Sequence, residues 1–308
     1  MSGKFLIFGA TGSIGSSLAK QLKNAGISNV HLIARNENEV KNISTNLGFN
    51  YSVADVLKDG FVEKIKKDID EVCGIAYCVG SIDLKPLRMA TEQDFNKCMK
   101  LNLYSAVDAI KGFQESLKKN KGSVVLFSTV AAQRGFTNHS IIASAKAAVE
   151  GLTVSLAAEF APNIRVNCVA PSLTNSKIAQ PMLKNKALAE GIAKAHPLKR
   201  LGEGKDSAAL AKFLLTEDSS WVTGQIIAVD GGRSKLSWSI YFCDLLKHSI
   251  VFLSKQAIVI GPTPPGTGVK AFATFDTSSK ATSPTIPFSI LLIQTSITIA
   301  SFFTQSPF

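Results

Sequence analysis

A glycine-rich turn near the start of the chain constrains its fold more than any other feature. Gly9-Ala10-Thr11-Gly12-Ser13-Ile14-Gly15 follows the short apolar run Lys4–Phe8 and opens Ser13–Asn24, which has helical periodicity. Gly9 permits a tight turn, Gly12 lets backbone approach a pyrophosphate, and Gly15 lets helix and strand pack closely. The helix N-terminus then offers amide donors and the positive end of its dipole to phosphate oxygens. A glycine triplet alone is a weak signal, but the strand–turn–helix setting makes this a predicted nucleotide site. Gly9, Thr11, Gly12, Ser13, Ile14 and Gly15 are its candidate lining.

The rest of the first 236 residues repeats that alternation. Short apolar runs at Val30–Ala34, 51–53, 74–79, Ser123–Phe127, 165–170 and 225–229 read as strands. Between them, a long helix is predicted from 91 to about 119, opened by Thr91 with Asp94 three residues on, and another from about 143 to 159. Helices between continuous apolar strands predict an α/β fold, a doubly wound parallel sheet covered on both faces. The segment from Leu173 to about Lys199 is rich in Ala, Leu and Met and is expected to form short helices over a substrate pocket. Trp221 is expected in the core or an interface.

The second strand ends Leu32-Ile33-Ala34-Arg35. The acidic residue that would hold the ribose hydroxyls of NAD is absent, and Arg35 is placed to pair with a 2′-phosphate. This favours NADP(H), with NAD(H) as the lesser option.

Taken with further motifs, these features resemble the short-chain dehydrogenase/reductase family from residue 3 to about 235. Asp55, in Ala54-Asp55-Val56, matches the aspartate that holds the adenine amino group, and Gly80 matches the end of the Asn-Asn-Ala-Gly motif, although Tyr77-Cys78-Val79 replaces its first three residues. Asn102 matches the active-site asparagine. Arg165 to Pro171 matches the strand leading to the nicotinamide, with Ser172 in place of a glycine and Ser176 in place of a threonine that contacts the carboxamide. The run from Thr223 to Gly232 completes the pattern. The resemblance implies a Rossmann-like sheet of about seven strands and a homodimer or homotetramer acting on a small-molecule substrate. Gly9 to Gly15, Arg35, Asp55, Val56, Gly80, Lys146, Pro171 and Ser176 are then the cofactor contacts.

The family's catalytic centre is altered. It uses Ser, Tyr and Lys, with Tyr four residues before Lys and Ser thirteen before Tyr. Lys146 is present, but Ile142 stands at the tyrosine position and Thr129 at the serine position. The tyrosines lie at 51, 77, 104 and 241, so no shifted alignment restores the role. Thr129 can donate to a carbonyl oxygen; Ile142 can donate nothing. Losing a general acid lowers a rate by about 10²–10⁴-fold. His139, three residues before Ile142, is a candidate substitute because histidine exchanges protons near neutral pH. The catalytic set is Asn102, Thr129, Lys146 and His139. Three functional readings follow: an oxidoreductase acting on a carbonyl, an alcohol or an activated double bond with a non-standard proton donor; a catalytically silent NADP(H)-binding sensor or partner subunit; and a structural scaffold, against which the retained glycine turn and Asp55 argue.

Composition separates residues 1–236, the expected domain, from a tail at 237–308. The chain has 34 basic and 23 acidic residues, yet in the tail only Asp244, Lys247, Lys255, Lys270, Asp276 and Lys280 are charged. The basic excess contains no long Lys/Arg run in the first segment, so no nucleic-acid partner is expected. The tail's apolar stretch, 288–303, is broken by Gln294, Thr295, Ser296 and Thr298 and falls short of a membrane span. Its Gly261-Pro262-Thr263-Pro264-Pro265-Gly266-Thr267-Gly268 equals the off-frame reverse complement of Pro-Val-Pro-Gly-Gly-Val-Gly-Pro, a motif similar to the C-terminus of methylenetetrahydrofolate dehydrogenase/cyclohydrolase. The tail is therefore expected to be disordered or a non-native translation product. Cysteines at 73, 78, 98, 168 and 243 form no Cys-x-x-Cys pair, and residues 1–9 do not read as a secretory leader. No metal site is expected, and a reducing, cytoplasmic setting is.

Overall fold

A computed structural model describes residues 3–236; the expectations for the tail lie outside the described residues. In chain order the elements are β1 (Lys4–Phe8), α1 (Ser13–Asn24), β2 (Val30–Ala34), α2 (Glu37–Leu47), β3 (Asn50–Val53), α3 (Phe61–Lys66), β4 (Val72–Tyr77), α4 (Glu92–Met99), α5 (Ser105–Lys119), β5 (Ser123–Phe127), α6 (Ser140–Phe160) and β6 (Arg165–Pro171). There follow β7 (Thr174–Asn175), α7 (Gln180–Leu183), α8 (Lys186–Lys194), β8 (Gly202–Glu203), α9 (Gly204–Leu215) and β9 (Ile226–Val229). Seven strands form one parallel sheet in the order β3-β2-β1-β4-β5-β6-β9, and β7 and β8 form a separate parallel pair.

Alternation along each strand builds two cores. In β1, Leu6 and Phe8 face α3, α5 and α6, packing with Phe61, Ile110 and Val149. Phe5 and Ile7 face α1, α2 and α9, packing with Leu18, Val40 and Leu214. Burial on both faces explains why the strands read as continuous apolar runs. The chain order reverses direction across the sheet between β1 and β4, and both strands end at one carboxyl edge, the edge at which open sheets of this kind bind ligands.

Most strand limits shift by a residue or less, and three elements depart further from the sequence reading. The strand expected over 74–79 is β4, ending at Tyr77; its last link is Cys78 N–H to Phe8 O at 2.9 Å, after which residues 78–80 leave the sheet beside the end of β1. The expected uninterrupted helix from Thr91 contains a π-helical turn, Lys100–Tyr104, between α4 and α5. The Ser105 hydroxyl donates to Lys100 O at 2.7 Å at that turn. α6 begins earlier than expected, at Ser140, because its first turn buries Ile141 and Ile142 with Cys98 of α4. The predicted capping of α4 is present: Thr91 accepts from Asp94 N–H, and Asp94 accepts from Thr91 N–H. Trp221 is 98% exposed, which corrects the expectation of a core position. α7 and α8 are the short helices expected between 173 and 199, and α8 buries no side chain. α6 is long and apolar enough to cross a membrane by composition, yet its residues Val149, Ala157 and Phe160 pack into the core against the sheet.

One buried polar chain makes stability depend on pH. His31 Nε2–H donates to the Ser52 hydroxyl at 2.8 Å, and Ser52 donates to Asp68 Oδ2 at 2.7 Å. Burial first, and then the charge of Lys4, lowers the His31 pKa from 6.5 to about 4. Between those values the unfolded chain holds a proton that the folded chain lacks. This contribution to stability is therefore complete above pH 6.5 and is lost as pH falls toward 4. At about 1.4 kcal/mol per pKa unit, the loss is on the order of 3 kcal/mol. Urea unfolding at pH 7 and pH 4.5 should show a lower midpoint at 4.5, with a smaller drop in His31→Gln. An equal drop in the variant would remove His31 as the cause.

Candidate active site

The glycine turn has the geometry its sequence predicts. Gly9 has φ +73°, and a Cβ there would stand 2.9 Å from Cys78 O. Gly12 is the N-cap of α1 with no side chain over the helix end, and its N–H donates to Gly9 O at 3.0 Å. A Cβ on Gly15 would lie 2.4 Å from Gly9 O, so only glycine allows α1 this close to the turn. Ile14 packs into the core beneath it. The Ser13 hydroxyl donates to Asn175 O at 3.0 Å, tying the turn to the β7 segment. Thr11 and Gly12 remain accessible at the mouth of the turn.

Neighbouring strand ends bring up the other candidates. Gly9 and Ala10 donate to Ile33 O at 2.9 and 3.1 Å, which sets Arg35 just past the end of β2, exposed and close to the turn. Beyond β3, Asp55 Oδ1 accepts from Leu57 N–H at 3.0 Å, and Val56 O accepts from the Ser105 hydroxyl at 2.9 Å. These bonds hold the loop after β3 against the start of α5. Pro171 ends β6, and Ser176 precedes a short 3₁₀ turn whose Ala179 N–H it accepts at 3.0 Å.

Gly80, Asn102 and Lys146 converge. A Cβ on Gly80 would lie 3.1 Å from Asn102 Oδ1 and 3.3 Å from Lys146 Nζ. Asn102 sits in the π turn, 1% exposed; its Nδ2 donates to Cys98 O at 2.9 Å, while its Oδ1 is buried with no hydrogen-bond partner among the described residues. Lys146 donates to Phe127 O at 2.8 Å, and burial lowers its pKa from 10.5 to about 8. The site thus holds an unpaired acceptor and a buried ammonium over a glycine, an arrangement that fits a pair of hydroxyl groups.

Thr129 follows β5. Its hydroxyl donates to Pro171 O and accepts from Ala131 N–H, both at 3.3 Å. Ile142 lies one helical turn before Lys146 and is 4% exposed, packed with Cys98, Ile141 and Ala145 against α4. His139 caps the start of α6; its Nδ1–H donates to Thr137 O at 2.7 Å, and its ring lies 5.4 Å from that of Phe136. Positions 139, 142 and 146 fall on one side of the helix.

The sequence reading did not single out His196. It is buried, donates through Nδ1–H to Ile192 O at 2.7 Å, and accepts at Nε2 from the Ser172 hydroxyl at 2.8 Å. Burial lowers its pKa. The one signal available was Ser172 after Pro171, a residue able to bond where glycine could not.

Comparison with known proteins identifies the family and the fold. A family model described as enoyl-(acyl carrier protein) reductase matches residues 9–234. A chloroplastic tropinone reductase homolog of Arabidopsis thaliana is 34% identical over 241 residues, covering 74% of each chain. Dehydrogenase/reductase SDR family member 4 of Sus scrofa is 32% identical over 245 residues, covering 74% of this chain and 86% of the relative. The solved structure of ElxO with NADP bound is 26% identical with TM-score 0.70, covering 77% of this chain and all of that one. A tyrosine-to-phenylalanine variant of ElxO, with NADPH bound, matches equally well. With the parallel sheet, the glycine turn and the Gly80–Asn102–Lys146 cluster in place, the chain belongs to the short-chain dehydrogenase/reductase family of NAD(P)-dependent oxidoreductases.

Proposed function

We propose that the protein is an NADP(H)-preferring oxidoreductase that moves a hydride to or from a small carbonyl, alcohol or activated double bond, using a proton donor other than residue 142. The observation that carries this reading is the orphaned acceptor of Asn102 beside the buried Lys146 ammonium over Gly80. Those groups fit the ribose hydroxyls of a dinucleotide, and the bare Gly9–Gly12–Gly15 turn fits its pyrophosphate. Arg35 supports the phosphorylated form, as do the NADP and NADPH bound by ElxO. When bound, the nicotinamide donates or accepts the hydride. Thr129 orients the reacting oxygen, and His139, on the helix side of Ile142 and Lys146, hands over the proton through Nε2.

Ile142 favours a second reading. A buried aliphatic side chain at the expected acid position suits a chain that binds NADP(H) and does no chemistry, serving as a sensor or partner subunit. In either case we assign the function to residues 1–236. Trp221, 98% exposed, supports self-association as a homodimer or homotetramer.

Label transfer separates the two readings. The full chain is incubated with NADPH deuterated at the nicotinamide 4-position and a metabolite extract, which is then searched by mass spectrometry. A compound gaining one deuterium is expected and identifies the substrate. Bound NADPH with no labelled compound would favour the silent reading.

A further inference from the structure

Two guanidinium groups meet at the carboxyl edge of the sheet, and among the described residues neither forms an ion pair with a carboxylate. Arg134 follows the turn after β5, and Arg233 lies in the turn after β9. Arg134 Nη1 donates to the backbone carbonyl of Arg233, and Arg233 Nη1 donates to Ile192 O at 3.3 Å. Both guanidinium carbons lie over the Phe136 ring, 5.9 and 5.2 Å from its centroid. The ion pairs among the described residues use Lys85, Lys119, Lys177, Arg200 and Lys205, and none uses these two arginines. Asp230, the acid of the same turn, directs its carboxylate to the N–H groups of Gly232 and Ser234 at 2.9 and 2.6 Å. Burial lowers the Arg233 pKa and the charge of Arg134 lowers it further, with the Asp230 carboxylate a smaller opposing influence, so the two cations repel one another.

The pair is wired to the candidate active site. Thr129 donates to Pro171 O; the next residue, Ser172, donates to His196; His196 and Arg233 both donate to Ile192 O. The Phe136 ring beneath the guanidiniums lies 5.4 Å from the His139 ring, tilted 46° to it. Like charges held together at a ligand-binding edge are unfavourable until an anion joins them. Guanidinium forks also match the oxygen pairs of carboxylates and phosphates.

We propose that Arg134 and Arg233 seat an anionic group, a carboxylate or a phosphate, at the end of the substrate away from the reacting carbon, with Phe136 as the floor between them. That the anion belongs to a hydride donor or acceptor rests on the function proposed above; that an anion binds here does not.

The test uses the full chain loaded with NADPH, so that the glycine turn is already filled. Inorganic phosphate and benzoate are titrated separately by calorimetry at constant ionic strength in chloride. Saturable binding of at least one is expected, weakened about tenfold or more by Arg134→Gln and by Arg233→Gln, and unchanged by Lys119→Gln at the opposite, amino edge of the sheet. Phosphate alone would mark a phosphorylated substrate, and benzoate alone a carboxylic acid. Should Arg233→Gln fail to fold, the exposed Arg134 decides the matter by itself. No saturable binding, or equal binding in the arginine variants, overturns the proposal. Nicotinamide fluorescence reports NADPH loading separately. A chain that binds the anion but never NADPH would overturn the functional reading and leave the anion seat standing.

Discussion

Ile142→Tyr is expected to reduce simple aldehydes or ketones with NADPH about 10²–10⁴ times faster than the unaltered chain. Position 142 is one turn from Lys146 on α6, so a phenol there lies beside an ammonium whose pKa burial has lowered to about 8. A nearby cation favours the phenolate and so brings its proton exchange toward neutral pH. Thr129 supplies the companion hydroxyl. The gain is opposed by packing, because Ile142 is buried with Cys98, Ile141 and Ala145. Forcing extra volume into such a site destabilises by about 1–3 kcal/mol, so the melting temperature should fall by several degrees. Ile142→Phe separates the two effects: it should carry the same stability loss and no gain in rate. Equal rates in the Tyr and Phe variants, with NADPH bound in both, would remove the hydroxyl as the missing part and shift weight to the silent reading.

The fold was legible because its strands are buried on both faces. β1, α1, β2 and β5 have the limits their apolar runs and glycine punctuation predict. Errors came where tertiary contact overrides local pattern. Nothing in Lys100 to Tyr104 announces a π turn, since it is a matter of which carbonyl each N–H reaches, settled by Ser105 bonding Lys100 and Val56. The start of α6 likewise depends on Ile141 and Ile142 meeting α4, a contact remote in sequence. The candidate site divides in the same way. Glycine positions and the Lys146 spacing are local, and they read directly from the chain. The Ser172–His196 bond and the Arg134–Arg233 pair join residues 24 and 99 positions apart, so no spacing rule could bring them together.

Lys146→Met should raise stability while abolishing cofactor binding. The Lys146 side chain is 6% exposed, has Phe127 O as an acceptor, and has no carboxylate in hydrogen-bond contact among the described residues. Its pKa of about 8 against an ordinary 10.5 means that folding binds the proton less tightly than the unfolded chain does. By linkage, stability should rise as pH climbs from 8 toward 10.5 and level off above that. Below pH 8 the buried charge therefore weighs against the fold, by on the order of 3 kcal/mol at about 1.4 kcal/mol per pKa unit. Methionine has similar length and no charge, so it removes that burden and fills the same space. Thermal unfolding at pH 7 should show a higher melting temperature for the variant, with the difference shrinking by pH 10. Nicotinamide fluorescence should show NADPH binding lost, because the ammonium beside Asn102 is then gone. Retaining an unpaired buried cation against stability is what a chain does when the group is used. A variant that is less stable at pH 7 and still binds NADPH would show Lys146 to be a packing residue, and the site over Gly80 would lose its role.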